Sequence, residues 1–483
     1  MVGLILLLAL VSASDKLYYP GMQGYFDQSC FQTLLQEYIP HKLNSIADHP
    51  PKEISITTSF LGTKMHFTFF NIEFHNFTLT PSQVSTSFET KNSKIITTLK
   101  STSLWVSGNF TLKWFGNYEG YVSVQLLDSN ITMPLAIDTS LNKIVLLLYP
   151  FTITPTYFNY VFKSNNRFLT SLKWLEYIWP VEWVMKEFVL RSFTRAVIKL
   201  NPSISYFFNE LTYYQEFGTK DLALDYRVIS LGVHNNSYVQ AGVSGQVLVP
   251  SLKYASSPYA LNETIPWTST GPFRLQITDY FFNTFLWGLS TAGYLNNTYK
   301  TLMFNNVTFP LTTLSLRMVI PQLYETFGAN GNISFTLVTK EFPMANTING
   351  GLQVSATEIC TVLVTTSEGV YEAFTFSFDM TTKILGVLEN LNTGVFLNYK
   401  IGINETVLSN YYMYPGGTVQ NIDISTIASA VQWGLTSFFE YYLPLFGQYS
   451  IKLPLPETMS IQDPKISVYN RAIEITGVPS FKY

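Results

Sequence analysis

The chain has 483 residues, of which 47% are hydrophobic, 16% are aromatic and 13% are charged. This apolar content excludes intrinsic disorder as a description of the whole chain, and the length leaves room for more than one hydrophobic core. Ordinary soluble proteins carry about 25% charged residues, so this chain is poor in charge. The formal charge of −3 provides no basic field, and we therefore expect no nucleic-acid partner.

The first thirteen residues have the pattern of a secretory signal peptide. Val2–Ala13 reads VGLILLLALVSA, an apolar stretch with Val11 and Ala13 at positions that suit cleavage. The stretch is shorter than the roughly 20 residues that a membrane span needs, and a buried N-terminal strand is the alternative. We expect residues 1–13 to be removed, and the mature protein to be extracellular or in the lumen of the secretory pathway.

Nine Asn-X-Ser/Thr sequons support the secretory interpretation and predict a glycoprotein. Several lie beside turns or at polar positions of strand patterns, where a glycan would face water. The predicted glycosylation sites are Asn76, Asn109, Asn130, Asn235, Asn262, Asn296, Asn306, Asn332 and Asn404.

The two cysteines are Cys30 and Cys360, which are 330 residues apart. Because the sequence pattern places them in different predicted domains, we expect no disulfide and two buried free thiols. A thiol within an apolar stripe ionises poorly, which argues against Cys30 as a catalytic nucleophile.

A polar, proline-bearing stretch divides the chain almost evenly. Residues 250–272 read PSLKYASSPYALNETIPWTSTGP, a composition typical of a linker. The predicted organisation is a signal peptide over 1–13, an N-terminal domain over 14–249, the linker over 250–272 and a C-terminal domain over 273–483.

The first half begins with the pattern of a one-sided helix. Apolar residues recur at three- and four-residue steps, polar residues fill the opposite face, and Pro40 is expected to end the run. The apolar face comprises Met22, Tyr25, Phe26, Cys30, Phe31, Leu34, Leu35 and Tyr38. Alternating strand segments follow, and Pro180 then marks the start or a kink of a second long helix.

The second half repeats this order. Asp279 can cap a helix that ends near Gly293, strand segments follow, and a late helix is predicted from about Ile424 to Leu443. Helix, antiparallel strands, helix and strand therefore occur twice. The sequence predicts an α+β fold built from two similar domains rather than a βαβ series.

Several short segments carry a family resemblance. The most specific are Asp279-Tyr280-Phe281-Phe282-Asn283 and Ala292-Gly293-Tyr294-Leu295, and weaker matches are Ile451–Pro456, Ser82–Ser85 and the hairpin WVSGNFTLKW. They resemble the secreted lipid-binding family that includes bactericidal/permeability-increasing protein, lipopolysaccharide-binding protein and the plasma lipid transfer proteins. The similarity covers most of the chain by order of elements, but only these patches by identity.

The resemblance implies a boomerang of two similar barrels, each an antiparallel sheet with long helices, joined by a central sheet. It implies an apolar lipid pocket in each half and a non-enzymatic, monomeric protein that serves lipid transfer or lipid sensing. The implied partners are a phospholipid or another acyl lipid and, transiently, a membrane or lipid-particle surface. No cofactor is implied.

Two departures from the family bear on the ligand. The family's usual disulfide ties the N-terminal sheet to the second helix, whereas here the first half has Cys30 alone. Endotoxin-binding members carry a basic tip on the N-terminal barrel, whereas the corresponding hairpin, Leu112–Gly120, holds one lysine and one glutamate. General lipid binding, to a phospholipid or a similar lipid, is therefore the better inference, and a lipopolysaccharide-binding protein of innate immunity is the alternative.

A lipid carrier needs one-sided helices over a curved sheet, so the apolar helix faces are the candidate pocket walls. The same faces would also suit solid cores. The predicted lining of the first pocket is Met22, Phe26, Cys30, Leu34, Val184, Met185, Phe188 and Val189. The predicted lining of the second is Phe281, Phe285, Leu289, Val431, Leu435 and Phe438.

The sequence offers no convincing catalytic or metal centre, and we predict neither an enzyme nor a cofactor. Gly-X-Ser-X-Gly, P-loop and dinucleotide motifs do not occur. The nearest approach to a metal cluster is His66, Glu73 and His75, and strand alternation predicts that His66 points away from the other two. A secreted lipid hydrolase and a structural or adhesive glycoprotein are the alternatives from other functional classes.

Overall fold

The computed structural model describes residues 20–60, 62–90, 94–138, 145–148, 151–164, 179–209, 214–217, 222–252, 259, 265–304, 307–390, 396–425, 427–429, 431–432, 451–452 and 459–481. The predicted signal peptide lies outside these residues. The described strands pair antiparallel. Together with a few helices they form an α+β fold, so the predicted fold class is confirmed.

The helices of seven or more residues in this part of the chain are α1 (Gln28–Leu43), α2 (Trp179–Asn209), α3 (Asp279–Thr291) and α4 (Pro321–Phe327). Short 3-10 segments cover Asn44–Asp48, Pro81–Gln83 and Pro250–Leu252. The late helix predicted over 424–443 is helical at the residues described between 424 and 432, and its remainder lies outside them. None of the described helices is long and apolar enough to cross a membrane.

The strands before α2 are β1 (Met22–Asp27), β2 (Glu53–Phe60), β3 (Thr63–His75), β4 (Val84–Glu89), β5 (Lys94–Lys113), β6 (Asn117–Asp138), β7 (Val145–Leu148), β8 (Thr152–Thr154) and β9 (Tyr157–Ser164). Those between α2 and α3 are β10 (Tyr214–Phe217), β11 (Leu222–Asp225), β12 (Val228–His234), β13 (Tyr238–Val243), β14 (Gln246–Leu248) and β15 (Phe273–Thr278).

The strands after α3 are β16 (Asn297–Tyr299), β17 (Thr301–Phe304), β18 (Val307–Pro310), β19 (Asn332–Thr339), β20 (Met344–Ile348), β21 (Gly351–Thr366), β22 (Gly369–Asn390), β23 (Phe396–Tyr414), β24 (Ile451–Lys452), β25 (Met459–Tyr469) and β26 (Ala472–Phe481).

The first helix begins later than the sequence predicts. Met22–Asp27 forms β1 instead, because it pairs with β13 on one side and β15 on the other, and this tertiary pairing outweighs the helical spacing. Asp27 then caps α1 by accepting a hydrogen bond from the Cys30 backbone N–H at 2.8 Å. The prediction that Pro40 ends the run was also wrong, because the helix continues to Leu43.

A six-stranded central sheet joins the two halves of the chain. Its strand order is β12-β13-β1-β15-β26-β25. Strands from the beginning, the middle and the end of the chain therefore share one hydrogen-bonded sheet. Two further small sheets have three strands (β10-β11-β14) and two strands (β17-β18).

A buried carboxylate fixes the segment that precedes β15. The Glu474 carboxylate accepts hydrogen bonds from the backbone N–H groups of Thr268 at 3.0 Å and Ser269 at 2.8 Å, and from the Tyr469 hydroxyl. Burial alone would raise the pKa of Glu474, but the hydrogen bonds from Ser269, Tyr469 and the backbone hold it below its usual range. An ionised carboxylate on β26 thus binds residues of the predicted linker.

An eight-stranded sheet with α1 and α2 forms what we call the N-terminal lobe. Its strand order is β2-β3-β5-β6-β7, with β4 also paired to β5, and β8 and β9 to β6. Register shifts between Leu99 and Leu104 interrupt the long β5–β6 ladder, and such bulges bend a sheet. Alternate residues of each strand face inward; on β2, for example, Ile54 and Ile56 are buried.

Over the described residues this sheet stays open, so the expected closed barrel is corrected. Helix α2 packs against both β2 and β7, which lie at opposite ends of the strand order. An open sheet exposes unpaired backbone groups along its edges. In this lobe the helices supply partners for those groups, along two contacts that we call seams.

The α1–β4 seam is formed by glutamines at four-residue spacing. Gln28 Nε2 donates to the Thr86 carbonyl at 2.9 Å, and Gln32 and Gln36 donate to the Val84 carbonyl at 2.7 and 3.2 Å. The Thr86 backbone N–H donates in return to Gln32 Oε1 at 2.5 Å. The glutamine side chains therefore act as a partner strand for β4.

The α2–β2 seam is formed by cations at the same spacing. Arg191 Nη1 donates to the Ser55 carbonyl at 3.0 Å and Lys199 Nζ to the Pro50 carbonyl at 2.6 Å. Between them Arg195 donates to the Glu53 carbonyl. Glu53 and Ser55 belong to β2, which pairs with β3 alone among the described strands, and Pro50 lies just before it. The basic side chains therefore supply donors to the free edge of β2.

A seven-stranded sheet forms what we call the C-terminal lobe. Its strand order is β16-β19-β21-β22-β23-β24, with β20 also paired to β21. Its buried face carries a separate hydrophobic cluster that includes Leu323 of α4 and Ile427. Here too, the described strands give an open sheet rather than a closed barrel.

Candidate lipid-binding site

Six of the eight residues predicted for the first pocket lie on α1 and α2 of the N-terminal lobe, and Met22 and Phe26 lie on β1 of the central sheet. Met22, Leu34, Val184, Met185, Phe188 and Val189 belong to one buried hydrophobic cluster, and Phe26 packs against it half-buried. Cys30 is buried on α1 but is not a member of this cluster. The structure brings the other seven side chains together, and the contact of all eight with lipid stays a prediction.

Helix α2 places aromatic rings over the inner face of the sheet. The Phe188 ring stacks on Phe69 with 4.3 Å between ring centroids. Five residues further along the helix, Phe193 contacts Phe77 at 6.1 Å and Phe151 at 5.8 Å, measured between ring centroids. These edge and stacked contacts are favourable aromatic geometries, and they join helix and sheet into one apolar interior.

The sheet contributes buried aromatic residues to this interior that the predicted pocket lining did not include. Phe67, Phe69 and Phe110 are at most 1% exposed on the inner face, and their rings lie within 6.4 Å of one another. The alternation of Met65, Phe67 and Phe69 with two polar residues contained the signal, because alternate residues of a half-buried strand face the core. The prediction named helix residues alone.

Both cysteine thiols are buried and un-ionised. Burial raises the pKa of the Cys30 thiol far above its usual range, and the nearby Asp27 carboxylate adds to this. Burial, with a smaller contribution from Glu358, raises the pKa of Cys360 to about 12. Both thiols are free and buried, and both stay protonated at neutral pH, as expected for core residues rather than nucleophiles.

The residues predicted for the second pocket do not form one wall. Phe281, Phe285 and Leu289 of α3 pack with the hydrophobic cluster of the N-terminal lobe, whereas Val431 packs with that of the C-terminal lobe. The hydrophobic cluster of the N-terminal lobe extends to residues of β14 and β15, and α3 lies against these strands as well as against β20. Leu435 and Phe438 lie outside the described residues.

The sequence motif at the start of α3 has a structural role. Asn283 Nδ2 donates to the Ala345 carbonyl at 2.9 Å, and Asn283 Oδ1 accepts from the Ala345 N–H at 2.7 Å. Asp279 forms an ion pair with Arg471 at 3.4 Å, in the turn between β25 and β26. The motif therefore attaches α3 both to the C-terminal lobe and to the central sheet.

The interior of the C-terminal lobe contains a carboxyl group among apolar residues. Phe374, Phe376 and Phe378 form a row of buried rings on β22, and Glu358 lies opposite Phe378 on β21. Glu358 is 5% exposed, and Thr339 Oγ1 donates to its carboxylate oxygens at 3.0 and 3.1 Å. Burial raises the pKa of Glu358 to about 7.

The possible metal cluster has a different geometry from the predicted one. A bulge with Asn71 at φ 51° reverses the alternation of β3, so that residues 65, 67 and 69 are buried before it and 72 and 74 after it. His66, Glu73 and His75 therefore share the outer face, and the prediction that His66 points elsewhere was wrong. Among the described residues no three potential ligands are close enough to hold a metal.

The sequons fall mainly on the surface. Asn76, Asn130, Asn235, Asn296 and Asn332 are exposed, whereas Asn109 is half-buried. Asn404 lies on β23, and Asn262 and Asn306 lie outside the described residues. Glycosylation of these sites stays a prediction.

Comparison with family models gives a direct match. The model described as LBP / BPI / CETP family, C-terminal domain, matches residues 219–477, more than half of the chain. The chain belongs to the LBP / BPI / CETP family. This confirms the resemblance drawn from the sequence, and the lipid-binding fold of the family supports lipid binding in general.

One solved structure supports the fold of the chain. The crystal structure of lipopolysaccharide binding protein matches over 96% of this chain and 99% of that chain, with a TM-score of 0.51 and 14% identity. P47 from Clostridium botulinum A2 matches over 95% and 97% of the two chains, with a TM-score of 0.27 and 11% identity. Takeout 1 from Epiphyas postvittana covers 38% of this chain and 92% of its own, with a TM-score of 0.27 and 15% identity. The search of curated proteins gave no match.

The raised pKa of Glu358 predicts a pH-dependent stability. Between the unfolded pKa near 4.5 and the folded pKa of about 7, the native state holds more protons than the unfolded state. The free energy of unfolding should therefore fall as pH rises through this window. Glu358→Gln should remove this slope and stabilise the protein above pH 7 by about 3 kcal/mol.

Urea unfolding at pH 5, 6, 7 and 8 measures this effect. The matched control is Glu405→Gln, because Glu405 is half exposed on the neighbouring β23 and pairs with Lys383. Equal pH slopes for wild type and Glu358→Gln would contradict the assignment.

Proposed function

We propose that this protein is a secreted, non-enzymatic lipid-binding protein that shelters acyl chains of a phospholipid or a similar lipid, for transfer or for lipid sensing. The observation that supports it best is the interior of the N-terminal lobe, where two helices and a bent sheet bury their apolar faces in one large hydrophobic cluster. In this proposal residues 14–249 and 273–483 are two lipid-binding units of one monomer, with 250–272 between them.

The physical need for such a carrier follows from the hydrophobic effect. Each methylene that leaves a membrane for water costs about 0.8 kcal/mol, so a 16-carbon chain costs on the order of 12 kcal/mol. A protein interior lined by aromatic and aliphatic side chains replaces the membrane as solvent. Transfer between the two then becomes nearly balanced, and no chemical step is required.

Charge at the end of the N-terminal lobe supports phospholipid over lipopolysaccharide. The β5–β6 turn reads Lys113-Trp114-Phe115-Gly116-Asn117, with Glu119 shortly after it. A highly anionic glycolipid would call for several cations in one place. Although a structural neighbour is named for lipopolysaccharide, this turn favours a ligand of lower charge.

Secretion is proposed on the basis of residues 1–13 and the sequons. Five sequon asparagines are exposed, which is the position that attachment of a glycan requires. A surface with few charges gains solubility from such glycans. Both free thiols are buried, so an oxidising compartment would not readily couple them.

The proposal predicts that purified protein contains extractable lipid. Met185 is fully buried in the N-terminal lobe, so Met185→Trp should fill space there and reduce bound lipid by at least half. Ile198→Trp is the control, because Ile198 is on the same helix and 55% exposed. Organic extraction with mass spectrometry identifies the lipid, and native mass spectrometry gives its stoichiometry.

Each result of the lipid extraction distinguishes between the candidate functions. Phospholipid in wild type and Ile198→Trp, with less in a folded Met185→Trp, would support the proposal. Lipopolysaccharide in the extract would replace phospholipid as the ligand. Protein free of lipid from a lipid-containing source would favour the adhesive alternative.

An exposed aromatic tip supports transient contact with a membrane. Phe115 is 73% exposed at the β5–β6 turn, and Trp114 lies 4.7 Å from it and 6.0 Å from Phe60 of the adjacent β2–β3 turn, measured between ring centroids. Lys64 and Lys113 are exposed beside these rings. Aromatic rings flanked by lysines are typical of the membrane interface.

If the aromatic tip contacts the membrane, removing its exposed ring should weaken membrane binding selectively. Phe115→Ser should weaken binding to vesicles of phosphatidylcholine and phosphatidylserine about tenfold, the equivalent of removing one large apolar side chain from the bilayer. Tyr412→Ser is the control, because Tyr412 is 56% exposed on β23 of the other lobe. Flotation measures the effect, and equal binding of both variants would exclude the tip.

A further inference from the structure

The two seams of the N-terminal lobe differ in how they are bonded. At the α1–β4 seam Gln32 both donates to the Val84 carbonyl and accepts from the Thr86 N–H. Such two-way bonding resembles a strand ladder, and opening it would leave both donors and acceptors of β4 without partners. The α1–β4 seam is therefore costly to open.

The α2–β2 seam is bonded in one direction only. Arg191, Arg195 and Lys199, which we call the basic row, donate to carbonyls of residues 50–55 and accept nothing in return. Arg195 and Lys199 are exposed, and the Arg191 side chain is 41% exposed. Because solvent-exposed bonds of long charged side chains contribute little stability, the polar bonds add little to this seam, and its stability rests mainly on the apolar packing behind it.

The interior lies directly behind the α2–β2 seam. Ile54 of β2 is opposite Phe69 in the β2–β3 ladder, and Phe69 stacks on Phe188 of α2. All three side chains have 0% exposure. Separating α2 from β2 would therefore open a path from solvent straight into the apolar interior, with no intervening layer.

No covalent bond holds this seam. The chain has two cysteines, of which Cys30 is on α1 and Cys360 is on β21, so neither α2 nor β2 can be disulfide-linked. The fold therefore permits α2 to move away from the edge of β2 without breaking any strand pairing.

The basic row also suits the polar end of a lipid. A phosphate accepts charge-assisted hydrogen bonds that are stronger than those to a neutral carbonyl, and arginine binds phosphate with two parallel N–H donors. Glu187 pairs with Arg191 at 2.7 Å and the Glu53 side chain lies at the same seam, bonded to Ser55. The three cations still outnumber these two carboxylates.

We propose that the α2–β2 seam is the route by which the acyl chains of a phospholipid enter and leave the N-terminal lobe. The phosphate takes the donors of the basic row from the β2 carbonyls, and the tails pass between α2 and β2. This inference rests on the proposed function, since it assumes that lipid occupies the lobe.

A covalent lock across the seam tests the route. Ser55→Cys with Arg191→Cys, joined by a short bis-maleimide, should slow uptake of a fluorescent phosphatidylcholine from vesicles at least tenfold relative to the same variant before linkage. The matched control is Glu182→Cys with Lys186→Cys, an exposed pair one turn apart on α2 that makes its ion pair within the helix. Linkage of this pair should change the rate less than twofold.

A second variant needs no linkage. Arg191→Met, Arg195→Met and Lys199→Met together remove the donors but keep the apolar stems, and release of preloaded lipid should become at least threefold faster. Lys186→Met is the control on the same helix. Circular dichroism and thermal melting establish that each variant is folded.

The outcomes separate this inference from the function on which it rests. Slower uptake in the locked protein and faster release in the triple variant support the seam as the route. Unchanged uptake in a locked, lipid-binding protein overturns the route alone. Wild-type protein that takes up no phospholipid overturns the proposed function, and the route with it.

Discussion

An open antiparallel sheet must find partners for the backbone groups along its edges, and in the N-terminal lobe helix side chains provide them. Four helical residues rise about 6 Å, and two strand residues span about 6.7 Å. Side chains at four-residue spacing can therefore meet every second carbonyl of an edge strand. Gln28 and Gln32 of α1 use this match on β4, and Arg191 and Arg195 of α2 use it on β2. Beyond them, Gln36 shares the Val84 carbonyl with Gln32, and Lys199 reaches Pro50 just before β2.

This manner of closure connects fold to function. A barrel closed by strands resists opening, because parting two strands breaks a whole ladder of backbone bonds. A sheet closed by helix side chains encloses an apolar interior and keeps at least one edge that opens without loss of strand pairing.

Sequence reasoning succeeded where local pattern and tertiary demand agree. The α+β class and the buried face of α2 follow from periodicity, and Asp279-Tyr280-Phe281-Phe282-Asn283 was enough to suggest the family. The sequence predictions were wrong where long-range strand pairing determines the local structure. Met22–Asp27 forms a strand because it pairs within the central sheet, and a bulge at Asn71 reverses which residues of β3 face the core. The division of Phe281 and Val431 between two clusters depends on the docking of α3, which no spacing encodes.

The central claim is that acyl chains lie between α2 and the inner face of the N-terminal sheet. Photocrosslinking with a phosphatidylcholine that carries a diazirine near its acyl terminus, followed by peptide mass spectrometry, tests it most directly. Adducts are predicted on inner-face residues such as Phe67, Phe69, Met185 and Phe188. Adducts confined to outer-face residues, with none in the interior of a lipid-loaded protein, would contradict the account.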